Sequence, residues 1–245
     1  MLTIQDEDTR LLDATVRAAR AQADVSEWRR TLAPGVVAAA RDAGLFCMVL
    51  PRELGGLGLD PITCIDVLER LAHADGAAGW CGFVGNATSF FGWLAPDVAA
   101  DLLSGAPRMA AASVWAPGGR AVPGPDGGYT IDGRWSFASG SPHSDWIQLG
   151  VMVAGEGGAP ARRPDGRPDW RFAYLPTGEV EILDTWHALG LRGTGSHDVV
   201  AHGVRVPAER LAMPLFDPPR CDGAVYRLGF WGLGGVLMGP FPGVG

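Results

Sequence analysis

Ser139 stands next to last in the run Gly133-Arg134-Trp135-Ser136-Phe137-Ala138-Ser139-Gly140, and a second run, Leu189-Gly190-Leu191-Arg192-Gly193-Thr194-Gly195-Ser196-His197-Asp198, follows some fifty residues later. Both read as strand-to-turn transitions, which display backbone N–H groups, a hydroxyl and an aromatic ring beside open space. A flat polar heterocycle needs that combination: a ring to lie against, and fixed hydrogen-bonding groups for its carbonyl and nitrogen edge. Strand alternation sets Trp135 and Phe137 apart from Ser136, and register with Ser139 makes Phe137 the ring that faces a ligand. Gly193 and Gly195 let the backbone approach a ligand closely, although a plain tight turn explains them equally well. Ser139 has its own alternative, a hydroxyl satisfying the turn before Gly140. Ser139, His143 and Asp145 lie close together in sequence, but no Gly-x-Ser-x-Gly elbow accompanies them, so a hydrolytic triad is disfavoured. His143 is expected to border the pocket or cap the loop after Gly140.

The two motifs, in this order, resemble the acyl-CoA dehydrogenase superfamily, and within it the two-component flavin-dependent monooxygenases. Gly133, Trp135, Phe137, Ala138, Ser139 and Gly140 fill the pattern of the family's flavin-contacting strand. The Gly-Leu-Arg-Gly-Thr-Gly-Ser-His-Asp run, closing at Val204-Arg205-Val206-Pro207, is similar to the second half of the same β-domain. The resemblance implies a cofactor, reduced flavin (FMN or FAD). It puts Ser139 at the flavin N5/O4 edge, Phe137 against the ring and Trp115 near the pyrimidine end. Further cofactor contacts would come from Gly140, Arg192, Gly193, Thr194 and Ser196. Trp115-Ala116-Pro117-Gly118-Gly119-Arg120 lacks the acidic run usual in dehydrogenases here and looks more like the hydroxylase branch. The implied activity is hydroxylation of an aromatic or polyketide-like small molecule, with reduced flavin from a separate flavin reductase. Two other readings stay open: an acyl-CoA dehydrogenase, and a truncated non-catalytic subunit of a heteromeric flavoprotein. In either enzyme reading the catalytic base would come from a C-terminal helical domain that this chain does not include.

Composition narrows the classes independently. The 245 residues are 47% hydrophobic and 19% charged, as in a soluble globular chain able to bury a sizeable core. A net charge of −7 argues against nucleic acid as a partner. All 20 basic residues are arginine, which excludes a Schiff-base or P-loop lysine. Cys47, Cys64, Cys81 and Cys221 are widely spaced and read mainly as small hydrophobes. His197 and His202 match no zinc signature, so no metal is expected. The N-terminus, with Asp6, Glu7 and Asp8, does not look like a signal peptide, which makes the cytoplasm the default location.

The elements that must position the motifs form an α+β chain. An acyl-CoA dehydrogenase-like N-terminal helical domain (1–107) precedes an antiparallel β-barrel or sandwich domain (108–212). Residues 213–245 open a truncated C-terminal helical domain. Leu12, Val16, Ala19 and Ala23 recur at helical spacing, and a second helix runs from Pro34 to Ala43, ending at Gly44. Asp60-Pro61 predicts an N-cap and first-turn proline for a helix to about His73. Asp75 opens an uncharged helix extending towards Asp97. Its interspersed glycines, with Asn86, Thr88 and Ser89, predict a close-packed central helix rather than a membrane span. Asn86 is either an internally bonded core amide or a residue lining a substrate pocket.

From Met109 the period changes, predicting strands near 109–115, 129–138, 146–153, 170–175, 180–186 and 198–206, with a hairpin turn at Asp126-Gly127-Gly128. The segment from Gly155 to Pro168, with Arg162, Arg163 and Arg167, reads as a mobile polar loop. In the last segment, Leu228, Phe230, Trp231, Leu233, Val236, Leu237, Met238 and Phe241 are expected to stand uncovered. That predicts a homo-oligomer or a heteromer formed through this segment.

Overall fold

The computed structural model describes residues 6–104 and 108–238. The boundary expected at residue 107, and Pro240, Phe241 and Pro242 of the tail, lie outside the described residues. Six helices come first: α1 (Asp6–Ala21), α2 (Ala23–Arg29), α3 (Pro34–Asp42), α4 (Pro61–Ala74), α5 (Gly76–Gly85) and α6 (Pro96–Ser104). Local sequence chemistry sets several of their ends. Asp60 caps α4 by accepting from the N–H groups of Ile62 (3.0 Å) and Thr63 (3.2 Å). Asp75 does the same for α5, accepting from Ala77 (3.1 Å) and Ala78 (3.2 Å). Helix α5 packs closely on α4, because a Cβ at Gly79 would lie 2.6 Å from the Cα of Ala72. None of the helices among the described residues is long and apolar enough to cross a membrane.

The helix expected to run towards Asp97 stops at Gly85 and continues as a 3-10 segment, Ala87–Trp93. Asn86, Thr88 and Ser89 explain the change, since all three turn their side chains onto backbone carbonyls and compete with the helical ladder. Thr88 donates to Phe46 O (2.5 Å) and Ser89 donates to Asn86 O (2.6 Å).

Seven strands follow, β1 (Ala111–Pro123), β2 (Tyr129–Ala138), β3 (Trp146–Val153), β4 (Trp170–Pro176), β5 (Glu181–Leu183), β6 (His197–Val206) and β7 (Leu211–Ala212). They make one sheet in the order β5-β6-β2-β1-β3-β4-β7. The expected wholly antiparallel domain is corrected at one pair: β1 and β3 are parallel. The β1–β2 hairpin takes one edge of β1, and the chain returns through Ser139–Asp145 to lay β3 along the other. The hairpin turn forms as expected, with Gly127 at φ +82°. The loop from Gly155 to Pro168 is largely exposed, as a polar loop should be, and two of its arginines make contacts: Arg163 pairs with Asp217 (3.1 Å), and Arg163 and Arg167 lie over the Phe216 ring.

Two apolar clusters result. One lies within the sheet around Ile131, Trp135, Ile147, Leu149 and Val199. The other joins the helices to the sheet through Phe90, Phe91, Phe172 and Tyr174. Arg41 of α3 ties the two parts together, donating to Asp145 Oδ2 (2.7 Å) and to the carbonyl of His143 (2.9 Å).

A last helix, α7 (Gly229–Met238), lies on the second cluster. Here the expectation of a wholly uncovered tail is corrected. Phe230, Leu233 and Leu237 are buried, the first with its ring 4.8 Å from that of Trp115, while Leu228, Trp231 and Met238 stay exposed.

Candidate functional site

Two irregularities in neighbouring strands open the site. Between Val114 and Gly119 the β1–β3 register shifts, four residues of β1 standing opposite Gly150 alone on β3. Pro117 has no N–H for the ladder, so Trp115-Ala116-Pro117-Gly118 bulges outward. Gly150 on β3 accommodates the bulge, because a Cβ there would meet the carbonyl oxygen of Trp115 at 2.3 Å. The second shift falls between Trp135 and Ala138 of β2. Trp135 points inward and donates from its indole to Gly150 O (2.7 Å). Phe137, at φ +63°, turns outward and keeps 69% of its surface exposed. A left-handed backbone at a bulky residue is costly and persists where the surroundings impose it.

Between these bulges, α5 and α7 lies a cavity of about 410 Å³. Trp80, Phe83 and Val84 of α5, with Ala87 and Phe90 beyond it, form one wall. Ser113, Val114, Trp115 and Ala116 of β1, with Ser136, Phe137 and Ser139, form the opposite wall. Leu233, Gly234, Leu237 and Met238 of α7 close the end. The walls are mainly apolar with a few hydroxyls, the usual make-up of a small-molecule site. Trp186 stands edge-on to Phe137, ring centres 6.1 Å apart at 88°.

Antiparallel pairing of β2 with β6 brings the two sequence motifs together: Ala138 faces His197, which sets Ser139 beside Ser196. Their hydroxyls are 2.6 Å apart, and Ser196 is in turn 2.6 Å from Thr194 Oγ1. Trp80 donates from its indole to Ser139 Oγ at 3.0 Å. The N–H of Gly140, at φ +78°, donates to the carbonyl of Thr194 (2.8 Å).

Of the residues singled out from sequence, Trp115, Phe137 and Ser139 line the cavity; Gly140, Arg192, Gly193, Thr194 and Ser196 do not. Arg192 turns to α2, with Nε donating to the carbonyl of Glu27 (3.3 Å). Gly193 is a helix contact: a Cβ there would sit 3.0 Å from that of Ala77 and 3.1 Å from that of Ser26. Thr194 and Ser196 are buried behind Ser139. Asn86 is the core amide of its two alternatives and lies off the cavity wall. Its Nδ2 donates to the carbonyls of Leu45 and Gly82 (both 2.8 Å), and its Oδ1 accepts from Met48 N–H (2.9 Å).

Ser139, His143 and Asp145 form no triad, because Asp145 is taken by Arg41 and by the N–H of Ala110 (2.9 Å). His143 packs on Phe46 with its Nδ1 unpartnered. Burial, aided by the charge of Arg41 and opposed by Asp145, pushes its pKa down to about 4. His197 is also held below the ordinary histidine range, first by burial. Its Nδ1 accepts from the N–H groups of Thr185 and Trp186 (both 3.2 Å), so it braces the loop that carries Trp186.

Sequence reasoning missed Trp80, Phe83, Ser113 and the α7 wall. Trp80, Phe83, Val84 and Ala87 recur at i, i+3, i+4 and i+7, and that spacing marks one helix face.

A model of the acyl-CoA dehydrogenase N-terminal domain matches residues 4–95. The oxygenase subunit HsaA of a flavin-dependent monooxygenase from Mycobacterium tuberculosis is 33% identical over 216 residues, covering 86% of this chain and 52% of HsaA. The chain belongs to the acyl-CoA dehydrogenase superfamily. Within that superfamily, an indole-3-acetate monooxygenase from Pseudomonas putida is 31% identical, with 91% of this chain and 58% of that protein covered. The solved structure of XiaF from Streptomyces sp. in complex with FADH2 and glycerol superposes with a TM-score of 0.75 at 26% identity, covering 84% of this chain and 51% of that one. The chain thus spans about half the length of the superfamily relatives it matches.

Proposed function

We propose that the chain is the flavin-facing part of a monooxygenase oxygenase component that uses reduced FMN or FAD to hydroxylate an aromatic small molecule. The observation that carries this is the cavity of about 410 Å³ between the two strand bulges, with the outward ring of Phe137 and the Ser139 hydroxyl on one wall. These residues fit a flavin: a flat ring surface, an edge hydroxyl, and apolar walls that exclude water. Bound reduced flavin would supply the electrons that activate O₂. Phe137 would lie against the ring, Ser139 would meet its N5/O4 edge, and Trp115 would stand at the pyrimidine end. Trp80 would hold the Ser139 hydroxyl in place. An aromatic substrate suits the remaining wall of Phe83, Phe90 and the α7 side chains, and two similar proteins are monooxygenases.

In this reading residues 1–107 are the helical wall, 108–212 the flavin-facing β-domain, and 213–245 the start of a C-terminal helical domain that brings the catalytic base. A separate flavin reductase delivers the cofactor, the protein works in the cytoplasm, and Leu228, Trp231 and Met238 join a subunit interface. The four free cysteines agree with a reducing compartment. Acyl-CoA oxidation is the second reading of this fold, and Trp115–Arg120 weighs against it by carrying no carboxylate. The test supplies the full-length protein with reduced flavin, air and a panel of phenols and indoles, and separately with acyl-CoA thioesters and an artificial electron acceptor. Hydroxylated product in the first assay is expected; turnover only in the second would reverse the assignment.

A further inference from the structure

The hydroxyls behind Ser139 form a chain whose direction can be worked out from its far end. A hydroxyl has one hydrogen to donate and two lone pairs. Thr194 Oγ1 lies 2.9 Å from the carbonyl oxygen of Leu191, which only accepts, so Thr194 spends its hydrogen there. Ser196, at 2.6 Å, must then donate to Thr194. Ser139, 2.6 Å from Ser196, must in turn donate to Ser196. The Trp80 indole N–H fills one Ser139 lone pair from 3.0 Å. The backbone offers no replacement donor, because the Ser139 N–H goes to Phe137 O (2.8 Å) and the Gly140 N–H to Thr194 O (2.8 Å). Towards the cavity Ser139 therefore presents a single lone pair.

Ser113, on the same wall, is set in the same sense. Its hydroxyl donates to Gln148 Oε1. That orientation of the amide is required, since Tyr174 donates to Phe90 O (2.8 Å) and must accept from Gln148 Nε2 (3.0 Å).

We infer that Thr194 and Ser196 are positioning residues that hold the Ser139 hydroxyl as an acceptor facing the cavity, so that the site favours a ligand presenting a hydrogen there. The inference rests on the flavin reading above, in which Ser139 meets the N5/O4 edge; an acceptor-only hydroxyl pairs there with N5, because O4 has no hydrogen to give. Reduced flavin carries a hydrogen on N5 and donates; oxidised flavin has only a lone pair at N5. The fixed acceptor pairs with the first and sets lone pair against lone pair with the second. Breaking the chain at Ser196 or Thr194 returns a free hydrogen to Ser139, which can then rotate and donate to the oxidised ring. The two residues thereby bias the redox state of the bound ligand without touching it.

The test is anaerobic titration of FMN and FAD, each oxidised and dithionite-reduced, into the full chain and into Ser196→Ala, Thr194→Val and Thr194→Ser. Wild type is expected to bind the reduced form more tightly. Ser196→Ala and Thr194→Val should each lose about tenfold of that preference, equivalent to a fall of about 30 mV in the bound flavin's midpoint potential. Thr194→Ser, which restores the hydroxyl, should keep it. Because the reading is a ratio, a general loss of affinity does not imitate the effect, and the two variants break the chain at different links. Flavin binding with an unchanged ratio in both Ser196→Ala and Thr194→Val, or with no reduced-state preference in wild type, overturns the inference and leaves the flavin reading standing. Wild type binding neither form overturns both.

Discussion

Replacing Asn86 by alanine removes an amide whose three hydrogen bonds all end on backbone: Leu45 O and Gly82 O at 2.8 Å, and Met48 N–H at 2.9 Å. The site is fully buried, so no water takes their place. A buried polar group left without a partner costs about 1–3 kcal/mol, and a carbonyl with a second lone pair engaged suffers least. Three orphans, with some relaxation, put the cost at about 3–6 kcal/mol, a large share of a stability of about 5–15 kcal/mol. Asn86→Asp should be no better, since it keeps the acceptor for Met48 but points oxygen at two carbonyl oxygens. Urea unfolding followed by tryptophan fluorescence measures both variants. A ligand-contacting Asn86 would instead show weakened ligand binding with stability nearly intact. An alanine variant within about 0.5 kcal/mol of wild type would refute the argument from the buried network.

Acid should unfold the protein partly through His143. Its folded pKa of about 4 lies below the ordinary 6.5, so its contribution is complete above pH 6.5 and is lost as pH falls towards 4. The loss is on the order of 2–3 kcal/mol, and His143→Gln should flatten the stability–pH curve over that window, as denaturation at pH 4 to 7 would show. Phe137→Gly relieves the positive φ of +63° and removes an exposed ring. Stability should hold or rise slightly while reduced-flavin affinity falls about tenfold, the two read by thermal melting and anaerobic titration. At Gly133 a Cβ would lie 2.4 Å from the Cα of Gly119 and 2.8 Å from the Trp135 ring. Neither can retreat easily, so Gly133→Ala should cost about 2–3 kcal/mol in the same urea assay.

Much of this fold was legible because short-range rules decide it. Asp60 and Asp75 cap the helices that follow them, and β2, β3, β4 and β6 fall close to their expected ranges, whereas β1 runs on to Pro123, β5 is shorter than expected and β7 was not foreseen. What depended on distant partners was not legible. The parallel β1–β3 pair follows from which edge of β1 the returning chain takes, and no local pattern records that choice. Helix α5 ends early because Asn86 finds Leu45 O and Thr88 finds Phe46 O, about forty residues away.

The candidate site divides in the same way. Ser139 and Phe137 stand out as a hydroxyl and a ring at a strand end, and both face the cavity. Arg192 and Gly193 sit in a glycine-rich turn that reads like a ligand loop, yet that turn is shaped by contact with α2 and α5. Trp80 belongs to an apolar helix with glycines on several sides. Which side looks into the cavity becomes clear only once α4 has taken the face at Gly79.

If the cavity between α5, the two strand bulges and α7 is a flavin site, the flavin itself must be found there. A crystal structure of the full-length protein grown anaerobically with reduced FMN or FAD tests it most directly. The ring is expected against Phe137, with its N5 edge within hydrogen-bonding distance of Ser139 Oγ and its pyrimidine end towards Trp115. A flavin bound elsewhere, with this cavity filled by water or side chains, would contradict it.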